Sequence, residues 1–311
     1  MRVLGQSAMF DRKTRQGGYF ALAAYFIWGV TPIYFKLVGH VQPLEIIAHR
    51  VTWSAILLML ILTLSGKLGE LRLPLKSLGW LLLSAMLLAC NWLIFVFAVL
   101  NDQIIDTSLG YFINPLVSVF LGIFFLGERL RPLQWLALSI AFLGVMIQLV
   151  VLGHLPLISL ALAFSFGFYG LIRKNLNLPA VSGLALETLI ILPFALGYLA
   201  WQQAQGALAF SNLSLETDLL LVLGGVVTSL PLLFFAGAVT RLSLTTVGIF
   251  QYLAPGLTLL LAIFYFDEPF NNVQFATFFC VWVSIMIFTT ESLGYHRKRY
   301  RDHARVSTEA S

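Results

Sequence analysis

Two stretches decide the fold: GYFINPLVSVFLGIFFLGER at residues 110–129 and GIFQYLAPGLTLLLAIFYFDEP at residues 248–269. Both are apolar for about the 20 residues that a membrane-crossing helix needs. In the first, Pro115 precedes Glu128 by thirteen residues; in the second, Pro255 precedes Glu268 by the same thirteen, at an offset of 140. A nearby register, offset 138, pairs Ala23 with Ala161, Gly29 with Gly167 and Lys36 with Lys174, and sets His49 against Glu187. Two concordant offsets point to a chain built from two copies of one unit.

Composition agrees with a protein solvated by lipid. Of 311 residues, 59% are hydrophobic and 11% charged, against about 25% charged in globular proteins. Apolar runs broken by Gly, Pro and charge predict ten crossings: Gly18 to Val38, Leu44 to Ser65, Leu78 to Leu100, Ile104 to Leu126, Leu133 to Leu152, Leu155 to Leu171, Val181 to Trp201, Leu219 to Val239, Leu244 to Phe266 and Val273 to Leu293. The net charge of +5 reflects topology and argues against a nucleic-acid partner. Seventeen of the nineteen Lys and Arg fall on one side of this parse, in both termini and in the loops around Lys67, Arg129, Arg173 and Arg241. Cytoplasmic loops hold such an excess, so both termini are expected inside.

The expected organisation is a cytoplasmic tail over 1–17, five-helix repeats over 18–152 and 153–293, and a basic cytoplasmic tail over 294–311. Because five is odd, the second repeat enters the membrane from the opposite face. Inverted repeats of this kind exchange inward and outward access around a midplane site. The fold class is thus an all-α polytopic membrane protein of ten helices in two inverted halves.

The segments TRQGGYFALAAYFIWGVTPIYFK, EIIAHR, LGYFINP, FLGER and FQYLAP resemble the drug/metabolite transporter superfamily, and within it the EamA-type permeases of the RarD subfamily. The resemblance spans about residues 14–293. It implies a 5+5 inverted fold in a bacterial inner membrane, relatives that export amino acids and other metabolites, and a subfamily name tied to chloramphenicol sensitivity.

Charges within crossings are costly and usually face a cavity or a partner. Lys36, Glu45, His49 and Arg50 cluster toward one face. Glu45 and His49 share a helix face at i,i+4, and Arg50 offers a planar fork suited to carboxylate. They read as a vestibule for a substrate carboxylate or a proton relay, with the alternative of interfacial charges snorkelling outward. His49 and Glu187 are the candidates for proton coupling; Glu187 also has a plainer reading as a salt bridge to Arg173 or Lys174. Pro115 and Pro255 are the symmetric helix breaks where a gate can form. Tyr111, Asn114, Gln251 and Tyr252 beside them offer hydrogen bonds to a ligand. Tyr25, Trp28, Trp92, Phe166 and Tyr169 could wall it. Glu128 and Glu268 read as loop anchors.

Cys90 and Cys280 fall inside apolar runs, and the five histidines are scattered, so neither a disulfide nor a metal site is expected. No GxxxxGK[ST] loop occurs, and no cofactor is expected. The function expected is a secondary transporter of small amphipathic metabolites or drugs, an exporter working by alternating access, with a small-molecule substrate and the lipid bilayer as its partners. The alternatives are an intramembrane lipid-modifying enzyme, which would need acids clustered at one depth, and a non-transporting sensor.

Overall fold

In the computed structural model the described residues are 2–72, 75–101, 104–265 and 272–309, with side chains at 2–11, 75, 99–100, 104–108, 293 and 296–309 excepted. They form eleven α-helices: α1 (Arg2–Leu37), α2 (Pro43–Leu64), α3 (Leu75–Leu100), α4 (Ile104–Leu126), α5 (Pro132–Leu152), α6 (Leu157–Leu176), α7 (Ala180–Ala204), α8 (Leu215–Val239), α9 (Leu244–Gln251), α10 (Leu253–Phe264) and α11 (Asn272–Glu309). Together they supply ten spans long and apolar enough to cross a membrane, the ninth made of α9 and α10. The lipid-facing surface carries large apolar side chains such as Phe120, Phe124 and Phe194, as a hydrocarbon solvent requires.

Helix ends follow local chemistry. Pro43 and Pro132 start α2 and α5 at the first turn, where a missing N–H costs nothing. The Ser214 and Ser243 hydroxyls accept from the backbone N–H of Thr217 and Thr246, capping α8 and α9. Gly153 ends α5 in the left-handed region, where a side chain would be strained.

Several boundaries differ from the sequence expectation. The ninth crossing breaks at Tyr252 because Pro255 lacks the N–H that would bond the Gln251 carbonyl four residues back. The sixth runs on to Leu176, so Arg173 lies in its last turns rather than in a loop. The stretches expected as terminal tails continue as helix from Arg2 and through Glu309. Glu268 lies outside the described residues.

Every extensive helix pairing joins one half to the other. α1 packs on α8 and α6 on α3; α2 packs on α8 and α7 on α3; α4 packs on α6 and α1 on α10; α2 meets α7, α4 meets α9, and α5 meets α11. Exchanging the halves leaves this set unchanged, as a two-fold axis in the membrane plane demands. The close approaches obey the same operation. A Cβ on Gly29 would strike Leu257, and a Cβ on Gly167 would strike Val117; Gly29 and Gly167 are 138 apart and Val117 and Leu257 are 140 apart. Small residues let backbones approach where lipid offers no hydrophobic drive.

Candidate substrate site

One end of the bundle holds the Lys- and Arg-rich loops and is called here the basic end; the other is the opposite end. Between the opposite end and the midplane, α2 projects Arg50. Its Nε donates to the Thr228 hydroxyl on α8 at 2.6 Å, and that hydroxyl is itself oriented by donating to the Gly224 carbonyl at 2.8 Å. The guanidinium carbon lies 5.2 Å from the centre of the Phe35 ring and 5.5 Å from that of Trp92, within cation–π reach. The phenols of Tyr34 and Tyr111 stand close enough to interact with its charge. Among the described residues no carboxylate pairs with Arg50. The two terminal nitrogens of the fork are thus left to whatever fills the cleft.

Exposure of Tyr111 points to a cleft beside Arg50. Tyr111 is 51% exposed, yet it lies seven residues from buried Ser118 and therefore on the same helix face, opposite lipid-facing Phe120. Its exposure is to the interior of the bundle. Asn114, one turn further along α4, has a buried side-chain oxygen without a hydrogen bond.

Toward the midplane and the basic end the path is shut by rings. Tyr25 and Trp28 of α1, Phe166 and Tyr169 of α6 and Phe235 of α8 form one stack, with centroid distances from 5.0 Å (Phe166–Phe235) to 6.4 Å (Tyr25–Phe235). Tyr169 lies nearly parallel to Phe235, at 16°. The Tyr25 hydroxyl has no hydrogen bond but faces the Gln251 amide. That amide is tied to Ser118, donating to its hydroxyl at 3.1 Å and accepting from it at 3.3 Å. Tyr252 is buried with its hydroxyl unbonded.

Below the rings Glu187 is wholly buried on α7. The Ser84 hydroxyl on α3 donates to its Oε1 at 2.5 Å and the Tyr169 hydroxyl to its Oε2 at 3.3 Å. The nearest guanidinium nitrogen of Arg173 is 3.6 Å away, and Arg173 is 1% exposed.

The structure brings Arg50, Trp92 and Tyr111 together and stacks Tyr25, Trp28, Phe166 and Tyr169, but it separates the other helix-two charges from Arg50. His49, one residue away and so turned by about 100°, packs on the Phe210 ring at 4.9 Å and stands 3.8 Å from Glu45. Glu45 in turn accepts from the backbone N–H of Ala209 and Phe210 at 2.8 and 3.2 Å, fastening the α7–α8 loop. Lys36 is exposed at the end of α1. Lys174 donates to the Val239 and Leu242 carbonyls, at and just past the end of α8. Glu128 binds the Leu244 and Thr245 N–H groups at 2.6 and 2.8 Å, anchoring the start of α9. Thr228, Phe35, Phe235 and Ser84 were not singled out from sequence. For Thr228 a signal exists: it and Ser229 are a hydroxyl pair just before Pro231, inside a crossing otherwise apolar around them.

With this architecture established, sequence comparison decides the family. The EamA-like transporter family matches residues 15–150 and 155–290, one repeat in each half. This chain belongs to the EamA-like transporter family. It is 46% identical to the "Uncharacterized transporter" of Vibrio cholerae serotype O1, over 94% of this chain and 98% of that protein. It is 45% identical to "Protein RarD" of Salmonella typhi, over 94% and 100%, so the RarD subfamily resemblance holds. A solved structure with 18% identity shares the fold at a TM-score of 0.70, covering 88% of this chain and 97% of its own.

Proposed function

We propose that this EamA-family membrane protein is a secondary transporter that exports small amphipathic organic anions by alternating access, with Arg50 as the group that receives the substrate's carboxylate. The observation that carries this reading is the guanidinium itself: a cation inside the bundle, pinned by Thr228 and walled by Phe35, Trp92 and Tyr111, with no ion-pair partner among the described residues. A buried charge without a partner is too costly to keep unless water or a ligand meets it. The fork matches a carboxylate, and the aromatic walls suit an apolar or aromatic body.

With the basic loops in the cytoplasm of a bacterial inner-membrane protein, the cleft at Arg50 opens outward and the ring stack with Glu187 and Arg173 closes the cytoplasmic end. Pro115 and Pro255 flex the symmetric fourth and ninth crossings as the halves exchange. Asn114 and Gln251 supply further polar contacts at the midplane. Glu187 is the favoured site of proton coupling over His49, because it sits in the closed gate itself. Dispersed acids, one at each level, do not favour an intramembrane enzyme.

The test is uptake and efflux of a metabolite library in inverted vesicles, comparing wild type with Arg50→Gln. Carboxylates should dominate the compounds moved by wild type and be lost in the variant. Transport only of neutral or cationic compounds, unaffected by Arg50→Gln, would refute the reading.

A further inference from the structure

The two-fold relation places a second cation in the mirror interface. What α1, α2 and α8 are to the opposite end, α6, α7 and α3 are to the basic end. At offset 138 Phe35, which covers Arg50, corresponds to Arg173, and His49 corresponds to Glu187. Each interface therefore holds one arginine, but supplied from a different helix of the copy.

Arg173 is an unusual buried arginine. None of its three guanidinium nitrogens has a hydrogen bond. Its ion-pair partner among the described residues, Glu187, is 3.6 Å away at Oε1, beyond hydrogen-bond length, and both oxygens of that carboxylate are taken by the neutral hydroxyls of Ser84 and Tyr169. The same chain shows what a closed pair looks like: Arg131 grips Glu291 through two nitrogens and both oxygens. Gly183 makes room for the Arg173 fork itself, since a Cβ there would collide with the guanidinium. Arg173 is thus a rigid, desolvated fork in a shaped cradle, balanced in charge but unfilled in hydrogen bonds.

We infer that Arg173 is a second anion-binding site, for organic monocarboxylates of the class received by Arg50, and that Glu187 is an internal carboxylate standing in for the substrate while the basic end is shut. This rests on the reading of Arg50 as a carboxylate site. When α7 moves from α6, Glu187 leaves with it, held by Ser84 of α3, and a substrate carboxylate takes the fork. Substrate and Glu187 exclude each other at Arg173, so the empty carrier closes with its cation neutralised.

Equilibrium dialysis of benzoate and 2-naphthoate against the purified full-length chain in nanodiscs tests this. Glu187→Gln keeps the shape and removes the competing charge, so it should tighten carboxylate binding at least tenfold at a site abolished by adding Arg173→Gln and untouched by Arg50→Gln. No Arg173-dependent binding in Glu187→Gln overturns the inference, whatever Arg50 does. Loss of the Arg50-dependent site alone would instead sink the functional reading while leaving Arg173 standing. Should Glu187→Gln fail to fold, the wild-type chain gives an independent answer with phenylglyoxal, which attacks guanidinium groups. Benzoate should slow modification of both Arg50 and Arg173 severalfold, as read by peptide mass spectrometry. An Arg173 rate indifferent to benzoate marks a purely structural pair and overturns the proposal.

Discussion

Arg50 differs from a lysine in geometry more than in charge, and its setting uses that geometry: Nε is committed to Thr228, while the guanidinium lies against the Phe35 and Trp92 rings. Arg50→Lys keeps a cation but loses the pinned fork. Transport of a carboxylate substrate in proteoliposome counterflow should fall about 10- to 100-fold, the equivalent of about 1.5–3 kcal/mol for a hydrogen bond to a charged group, with the thermal midpoint little changed. His49→Gln should leave that exchange within about twofold, because the ring faces Phe210 and Glu45 rather than Arg50. At the other end, Arg173→Met strands Glu187 without its cation, and breaking such a pair costs about 3–5 kcal/mol. The double variant Arg173→Met, Glu187→Met should recover much of the lost thermal midpoint; a double as unstable as the single would show that the charge balance is not what matters. Sequence exposed these charges but not their orientation. His49 and Arg50 are neighbours in the chain, and only tertiary packing sends one to a loop and the other to the cleft. Arg173 read as a loop cation because hydropathy falls at Arg173 and Lys174, whereas the helix runs on to Leu176.

Helices meet most closely where glycines remove side chains. A Cβ on Gly225 would lie 2.6 Å from the Trp53 backbone, and the Ser54 hydroxyl donates to the Gly225 carbonyl at 3.1 Å. Gly225→Val should therefore pry α8 from α2, at a cost of about 1–3 kcal/mol for overpacking, and appear as a lowered unfolding midpoint together with a displaced Thr228. The proline-bearing crossings should respond differently. Pro255→Ala returns a donor to the Gln251 carbonyl and joins α9 to α10, and Pro115→Ala returns one to the Tyr111 carbonyl within the continuous α4. With expression preserved, the two should shift cysteine protection at Tyr25 and Tyr169 in opposite directions. Shifts in the same direction, or none, would make both prolines structural. The repeat was legible because Pro and Glu punctuate both copies at equal spacing. The break at Tyr252 was not, because the same proline leaves α4 continuous.

For the whole molecule, the ten crossings were legible as apolar runs, and charge position assigns their orientation without any knowledge of packing. Cysteine placed at Lys67 or Arg129, in a chain with Cys90 and Cys280 replaced, should resist an impermeant maleimide in intact spheroplasts and react once the membrane is breached. Labelling in intact cells would invert the assignment of the basic end. What sequence could not reveal is how the halves share their interior. The pairings α1 with α8, α2 with α7, α3 with α6, α4 with α9 and α5 with α11 leave the helices of one half only lightly in touch with each other. During synthesis, then, the first five helices enter the bilayer as single rods with glycine notches and polar groups facing lipid. They wait, without a folded state of their own, until the last helix emerges. A ribosome that stalls past residue 153 leaves behind a substrate for membrane proteases, whereas the two halves made as separate chains in one cell should find each other and be spared.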